Sequence, residues 1–484
     1  MSFVRRTLSV FLCFILLLTA LLPAFAEEIP QPTLSPDASP YDPEHPELLE
    51  PEQLYGASAI LITADTGEVI FEKDAVSLRY PASTTKILTV LLVIMFVDDL
   101  DQTVTVSETA LMIPEDSSVM GLVAGEEISF RDVLYGTMML SGNDGANVIA
   151  ETVSGSVPAF VDLMNRTAAV FGCQNTHFVN AHGYHDDNHY TTAYDMSLIA
   201  REAMKNDIFR DIVGTTTWTI PKTNKQRART ITTKTEYMLT GTEEKPNKYY
   251  YQYATGIKTG SHSMAGYCFV GSAMKDDVEL ISVVLFTGQK ARWADTIKLM
   301  DYGFSQYMSV TPSQLFDMNP ITIETSNYST SDSNRGRLKL ICSPADPDND
   351  IRITATKQEI QRMANDLQGT VLIQYTRDFV APIQAGEQIG ILTYYPETGE
   401  PSVNILTASR TIQRRENAPK SLEQIVQETE EDPNPFPPLN SNFILQLVFP
   451  VAGLVILILI LRKLLKNRRR RSGKTPKPVN RYLK

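Results

Sequence analysis

Ser83 and Lys86 stand three residues apart at the head of the apolar run Ile87 to Phe96. On a helix that spacing puts both on one face, with an amine in reach of a hydroxyl. A serine hydroxyl is a poor nucleophile until a base takes its proton, and an amine is such a base only when uncharged. Ser-x-x-Lys alone also occurs by chance at ordinary helix starts. Two later stretches carry compatible groups: Ser141-Gly142-Asn143 and Lys258-Thr259-Gly260. The first interrupts two apolar helical segments, so its hydroxyl and amide are expected to face an internal cleft. Seen alone it reads equally as a polar turn.

The elements that must position these groups can be read from periodicity. The run after Lys86 is apolar nearly all round, the mark of a helix buried in a core. It is too short for a membrane, which takes roughly 20 apolar residues. Before it, Ala57 to Ala64 and Glu68 to Phe71 read as a hairpin turning at Asp65-Thr66-Gly67. Val104 to Glu108 and Ser117 to Val123 are β-like. Ile128 to Met139, Val148 to Val153, Val157 to Phe171 and Thr192 to Lys205 have helical spacing. Thr215 to Ile220 and Thr230 to Thr233 are Thr-rich and strand-like. Gly266 to Ala273 and Glu279 to Phe286 form a second hairpin, with Lys258-Thr259-Gly260 just before it, and Trp293 to Phe304 is a closing helix. Strands at both ends and helices between predict one α/β unit whose sheet pairs the terminal strands. From about Pro312 short strands separated by turns predict a small, mostly β domain with one helix, Gln358 to Leu367.

The ends of the chain predict export and anchoring. Arg5 and Arg6, the apolar Leu8 to Leu22 and Ala24-Phe25-Ala26 read as a cleavable signal over 1–26. An uncleaved anchor is the alternative. Cys13 lies inside the apolar core, away from the cleavage point, which disfavours a lipid anchor. Residues 27–52, rich in Pro and acidic groups, are expected to be a disordered spacer. The catalytic domain is expected over 53–311 and the β-rich domain over 312–415. Residues 416–442, acidic with five prolines, read as a stalk. Phe443 to Leu461 is an apolar run of 19 residues, long enough at ~1.5 Å per residue to cover most of a ~30 Å hydrocarbon core. The tail 462–484 carries 11 basic and no acidic residues, which places it on the cytoplasmic side. A helix lying in the membrane interface is the alternative to a span. The remaining exported part holds 31 basic and 56 acidic residues, a net charge of −25. Such a surface argues against nucleic acid as a partner.

Cys173, Cys268 and Cys342 do not make a disulfide framework, and they read as buried apolar residues. His182, His185 and His189 lie among acidic residues in the loop 178–190. The segment is not clearly helical and has no Cys partner, so a polar loop explains it better than a metal site. No cofactor is expected.

The order Ser83-x-x-Lys86, Ser141-x-Asn143, Lys258-Thr259-Gly260 is the motif set of penicillin-binding proteins and class A β-lactamases. Over about Leu54 to Arg410 the chain resembles the serine-type D-alanyl-D-alanine carboxypeptidases, the low-molecular-mass penicillin-binding proteins. Supporting stretches are Pro81 to Lys86, His189 to Asp195, Gly256 to Gly260, Asp301 to Phe304 and Ala381 to Ile383. Gly142 departs from the Ser-Asp-Asn of class A β-lactamases. The resemblance implies a penicillin-binding/β-lactamase-like α/β catalytic domain (sheet plus helical lobe). With the readings above, the fold expected is that domain followed by the small mostly-β domain and the C-terminal transmembrane helix.

It also implies roles. Ser83 is the nucleophile and Lys86 its base, kept neutral by burial and by the charge of Lys258. Ser141 relays a proton, Asn143 orients the substrate peptide bond, and Lys258 supports the relay. Thr259, with Gly260 and Ser261 on the same segment, meets the substrate: Thr259 and Arg292 bind its terminal carboxylate. The backbone N–H groups of Ser83 and Ser261 hold the oxyanion. The implied substrate is the peptidoglycan stem peptide, with β-lactams as acylating inhibitors and the membrane as anchor. Three rivals share the motifs: a β-lactamase, a catalytically idle penicillin-binding scaffold or sensor, and an endopeptidase that cuts cross-links. The β-rich domain, stalk and span weigh against the first, and the complete motif set against the second.

Overall fold

The computed structural model describes residues 39–347, 350–396 and 399–416, with Leu422 and Val426. The signal peptide, transmembrane helix and basic tail expected from sequence lie outside the described residues, as does nearly all of the stalk. Among the described residues no helix is long and apolar enough to cross a membrane. The described chain groups into two compact units. One takes residues up to 321 with 341–376 and 390–406; the other takes 322–340, 377–389 and the residues from 407 on.

Strands β1 (Ser58–Thr63) and β2 (Val69–Lys73) form the first hairpin. Helix α1 (Lys86–Phe96) follows a single 3-10 turn, Ala82–Thr85. The short pair β3 (Thr103–Thr105) and β4 (Glu127–Ser129) leads into α2 (Phe130–Met139), α3 (Asn143–Ser154), α4 (Val157–Val170), α5 (Ala193–Met204) and α6 (Asp207–Gly214). A second short pair, β5 (Thr217–Ile220) and β6 (Arg229–Thr232), precedes β7 (Ala254–His262), β8 (Gly266–Lys275) and β9 (Val278–Thr287). Helix α7 (Ala291–Gln306) completes the set.

One antiparallel sheet of five strands, ordered β2-β1-β9-β8-β7, joins the N-terminal and C-terminal strands as expected. Every residue of β1 is buried, because the central strands are covered on both faces. Ile60, Ile62, Val283 and Leu285 pack into the core shared with α1 to α5. Ala59, Leu61, Leu280 and Val284 pack with Trp293, Leu299 and Met300 of α7 on the other face. This division follows from the period-2 alternation of side chains along a strand.

Farther along come β10 (Tyr307–Val310), α8 (Pro312–Met318), β11 (Thr322–Glu324), β12 (Arg337–Pro344) and β13 (Ile353–Thr356). They are followed by α9 (Lys357–Asn365), β14 (Leu372–Tyr375), β15 (Gln388–Tyr394) and β16 (Ser402–Ala408). The second five-stranded sheet has the order β11-β12-β16-β15-β14, so this part is mostly β.

Four expectations differ from the structure. Lys258-Thr259-Gly260 does precede the β8–β9 hairpin, but it lies on a strand that the sequence did not show, β7, the edge strand of the main sheet. Residues 117–123 form no strand. Asp207–Gly214, not foreseen, is a helix capped by the Asn206 side chain on the N–H groups of Ile208 and Phe209. The described part of the 27–52 stretch is ordered: it has two 3-10 turns, and Leu49 is buried with Trp293 in the α7-side core.

Candidate active site

The turn before α1 does more than a plain helix start would. In a 3-10 turn side chains three apart eclipse one another, which aligns Ser83 with Lys86 better than α geometry. Ala82, just before the nucleophile, has φ +49°, a left-handed conformation costly for a residue with a Cβ. Its carbonyl is held by the Thr85 hydroxyl at 2.8 Å, and Thr85 in turn pairs with His189 Nε2 at 2.8 Å. His189 Nδ1 accepts from the Val179 N–H, so the proton sits on Nε2 and the ring is neutral. Burial holds its pKa well down. Gly183 approaches so closely that a Cβ there would fall 1.8 Å from the Ala82 carbonyl oxygen.

Lys86 is wholly buried. Its Nζ lies 3.0 Å from Ser83 Oγ, 2.8 Å from Asn143 Oδ1 and 2.6 Å from the His182 carbonyl oxygen. Burial, then the charge of Lys258, pushes its pKa well below the usual lysine value; Asp144 opposes this. A neutral amine has two N–H donors and one lone pair. Asn143 and His182 take the donors, which leaves the lone pair for the Ser83 hydroxyl proton.

Asn143 opens α3. Its amide nitrogen makes no side-chain hydrogen bond among the described residues and is free for a ligand. Ser141 is buried, with φ +64°, and its hydroxyl likewise has no partner among the described residues. The structure therefore joins Ser83, Lys86 and Asn143 directly and leaves Ser141 beside them unbonded. Asp144 accepts from the N–H groups of Met120, Gly121 and Leu122 at 2.9–3.0 Å, and the Ser118 carbonyl accepts from Asn143 N. That carboxylate spends the N–H groups a strand over 117–123 would need. Asp144→Ala is expected to lower stability by about 3 kcal/mol, because buried donors lose a charged acceptor; denaturant unfolding measures it.

From the other side β7 presents Lys258, buried, with Nζ donating to the Thr259 carbonyl at 2.9 Å. A Cβ on Gly260 would lie 2.8 Å from Pro81 O and 3.1 Å from Ser83 N. Only glycine lets the strand pass this close to the nucleophile. Thr259 is half-buried and Ser261 exposed on the same strand. Arg292, in the first turn of α7, is buried; its guanidinium lies 4.4 Å from the Trp293 ring centre and 5.2 Å from that of Tyr267. Its Nε has no hydrogen-bond partner among the described residues, so it keeps capacity for an anion.

Sequence reasoning missed three contributors. The His182 carbonyl holds Lys86, although the histidine loop looked only structural. Asp144 sits next to the Ser-x-Asn pair, and that adjacency was the available signal. Exposed Lys234 donates to the Leu140 carbonyl at 2.8 Å and adds positive charge beside both catalytic amines; nothing in its local sequence marks it. Among the described residues no cluster of His, Cys, Asp and Glu is placed to hold a metal ion.

Lys258 has its pKa pulled down to about 7, by burial first and then by Lys234 and Arg292. Its cation is present below that value and lost above it. The Michaelis constant for a substrate carboxylate is therefore expected to rise as pH climbs through about 7. Lys234→Met removes a neighbouring cation, raises the Lys258 pKa and moves this limb to higher pH. A pH series of kcat/KM on both proteins checks the sign.

A neutral amine on a serine, an amide and two cations beside it suit acyl transfer to a substrate carrying a carboxylate. Comparison with known proteins agrees. The family model for D-alanyl-D-alanine carboxypeptidases matches residues 45–288. The D-alanyl-D-alanine carboxypeptidase DacF of Bacillus subtilis is 31% identical over 341 residues, covering 69% of this chain and 80% of the relative. A D-alanyl-D-alanine carboxypeptidase of a Streptomyces species is 34% identical over 253 residues, 50% of this chain and 84% of the relative. DacA of Escherichia coli is 28% identical over 358 residues, 71% and 80% of the respective chains. The chain belongs to the D-alanyl-D-alanine carboxypeptidase family of serine peptidases that act on peptidoglycan.

Proposed function

We propose that Ser83 removes the terminal D-alanine of the stem pentapeptide through an acyl-enzyme, with Lys86 as the base. The observation that carries this is the 3.0 Å contact between Ser83 Oγ and a buried Lys86 whose other two contacts are acceptors. Ser83 Oγ forms a bond to the penultimate D-Ala carbonyl carbon while its proton passes to Lys86 Nζ. The backbone N–H groups of Ser83 and Ser261 receive the oxyanion. Collapse breaks the C–N bond, and the proton reaches the leaving amine through the Ser141 hydroxyl. Water then attacks the ester carbonyl while Lys86 takes its proton. The C–O bond to Ser83 breaks, Lys86 returns the proton to Ser83 Oγ, and the shortened peptide leaves with a new carboxyl terminus. Asn143 orients the scissile peptide through its unengaged amide nitrogen. Lys258, Thr259 and Arg292 hold the terminal carboxylate.

A β-lactam presents a similar amide and carboxylate, so it acylates Ser83 by the same first step and is released slowly. The apolar run Phe443 to Leu461 and the basic tail after it support a single span with the catalytic domain outside the cell. On this reading the site works on a substrate fixed in the wall. Mass spectrometry of a pentapeptide incubated with the full chain is expected to show loss of a single D-Ala. An intact peptide, or cleavage only at cross-links, overturns the reading.

A further inference from the structure

We propose that the groove beside β11 and β12 binds a linear phosphodiester polyanion through residues other than those of the peptide site. Along β12 the residues Leu338, Leu340 and Cys342 are buried, while Arg337 and Lys339 project from the opposite, exposed face. Two residues of strand separate these cations by about 6.6 Å. They pair across to Glu324 and Thr322 of β11. The turn before β12 adds Arg335, held at φ +52°. The chain after β16 adds Arg410. These side chains line a cavity of about 750 Å³ whose remaining walls are largely hydroxyl-bearing, among them Thr322, Ser333 and Ser409.

Three of the four charges are not spent internally. Arg410 is clamped by Asp332 in a two-point pair at 3.0 and 2.9 Å and also donates to the Arg337 carbonyl. It is rigid and partly neutralised. Among the described residues Arg337 has only Glu324, at 3.9 Å, as an ionic partner, with both side chains more than 70% exposed, a pair worth little in water. Arg335 and Lys339 make no ion pair among the described residues. With Arg410 matched by Asp332, the three cations Arg335, Arg337 and Lys339 face one lining carboxylate, Glu324, in a chain whose exported part carries a net charge of −25. A local reversal of sign in a concave site concentrates anions there.

Shape selects the kind of anion. A bilayer surface is flat and would not reach the floor of a groove, and no exposed aliphatic side chain lines this one to enter a lipid phase. A single linear chain can lie along it, phosphates on the cations and hydroxylated linkers against Thr322, Ser333 and Ser409. Ion pairs of this kind weaken as salt screens them.

The test uses the full chain and a fluorescent synthetic poly(glycerol phosphate), followed by anisotropy at several salt concentrations. Saturable binding is expected, weakening with salt. The double variant Arg335→Gln, Lys339→Gln should bind at least tenfold more weakly, while D-Ala release from a soluble pentapeptide stays within twofold of wild type. Arg337→Gln, at a side chain 71% exposed, is a second variant that tests the same groove without disturbing the fold. The basic tail can also attract a polyanion, so amide hydrogen exchange provides the location: slowing is expected at 322–325 and 333–339. Absence of binding at low salt, equal affinity in wild type and variants, or slowing elsewhere would overturn the proposal. So would retention on phosphatidylglycerol vesicles that the polymer does not displace.

Discussion

Ser83→Ala is expected to lose at least about 10⁴-fold in D-Ala release, the scale seen when a serine nucleophile is removed from a preorganised site. Covalent labelling by a fluorescent penicillin should vanish with it. The variant should still fold: Ser83 is half-buried in a turn held by other atoms, notably Thr84 Oγ1 on Pro81 O and Thr85 Oγ1 on Ala82 O. An unchanged thermal melt beside lost labelling would locate the defect in chemistry. Retained single-D-Ala release would show that another group attacks the carbonyl and would sink the assignment of Ser83.

Lys86→Met carries the second large effect. Acylation by penicillin is expected to slow by about 10³-fold or more, within the range for loss of a positioned general base. Methionine matches the buried stem in length but leaves Asn143 Oδ1 and the His182 carbonyl without their donor. Each such buried acceptor costs about 1–3 kcal/mol, so some stability is lost as well. The pH profile separates the two effects. In the wild type, acylation falls as pH drops and Lys86 takes up its proton, because only the neutral amine can act as the base. Burial and Lys258 hold its pKa well below the ordinary value, which keeps the amine neutral to lower pH than an exposed lysine would be. Lys86→Met should show a rate independent of pH over that limb. A variant that keeps the acid limb would assign the titration to some other group.

How much of this was legible beforehand depended on the kind of signal. The apolar run Ile87 to Phe96 reads as a buried helix. It is helical throughout and buried through Val93, because a run with no polar face has nowhere else to go, but Met95 and Phe96 at its end are exposed. The hairpins at 58–73 and 266–287 were also visible, since apolar strands broken by polar turns leave a strong pattern. Strand β7 was obscured: Gly256 and Gly260 lower its local β preference, and its place comes from pairing with β8, Lys258 opposite Val270. The 117–123 segment failed in the opposite sense. Its composition suits a strand, but one carboxylate, Asp144, takes the N–H groups of 120–122. Tertiary hydrogen bonding of this kind has no period and leaves no trace in a local window.

The reacting groups were decided by sequence alone. Ser83, Lys86, Ser141, Asn143 and Lys258 announce themselves by residue type and order, since few chemistries need that set. Folding decided what those groups can do. The 3-10 turn eclipses Ser83 with Lys86, the left-handed Ala82 is pinned by Thr85 and Gly183, and Gly260 admits β7 to within touching distance of the nucleophile. The protonation states of both lysines were settled there as well. They depend on burial and on Lys234 and Arg292, charges brought close only by the folded sheet and its helices. A pKa is set by the surroundings in space, and a sequence lists neighbours along the chain only.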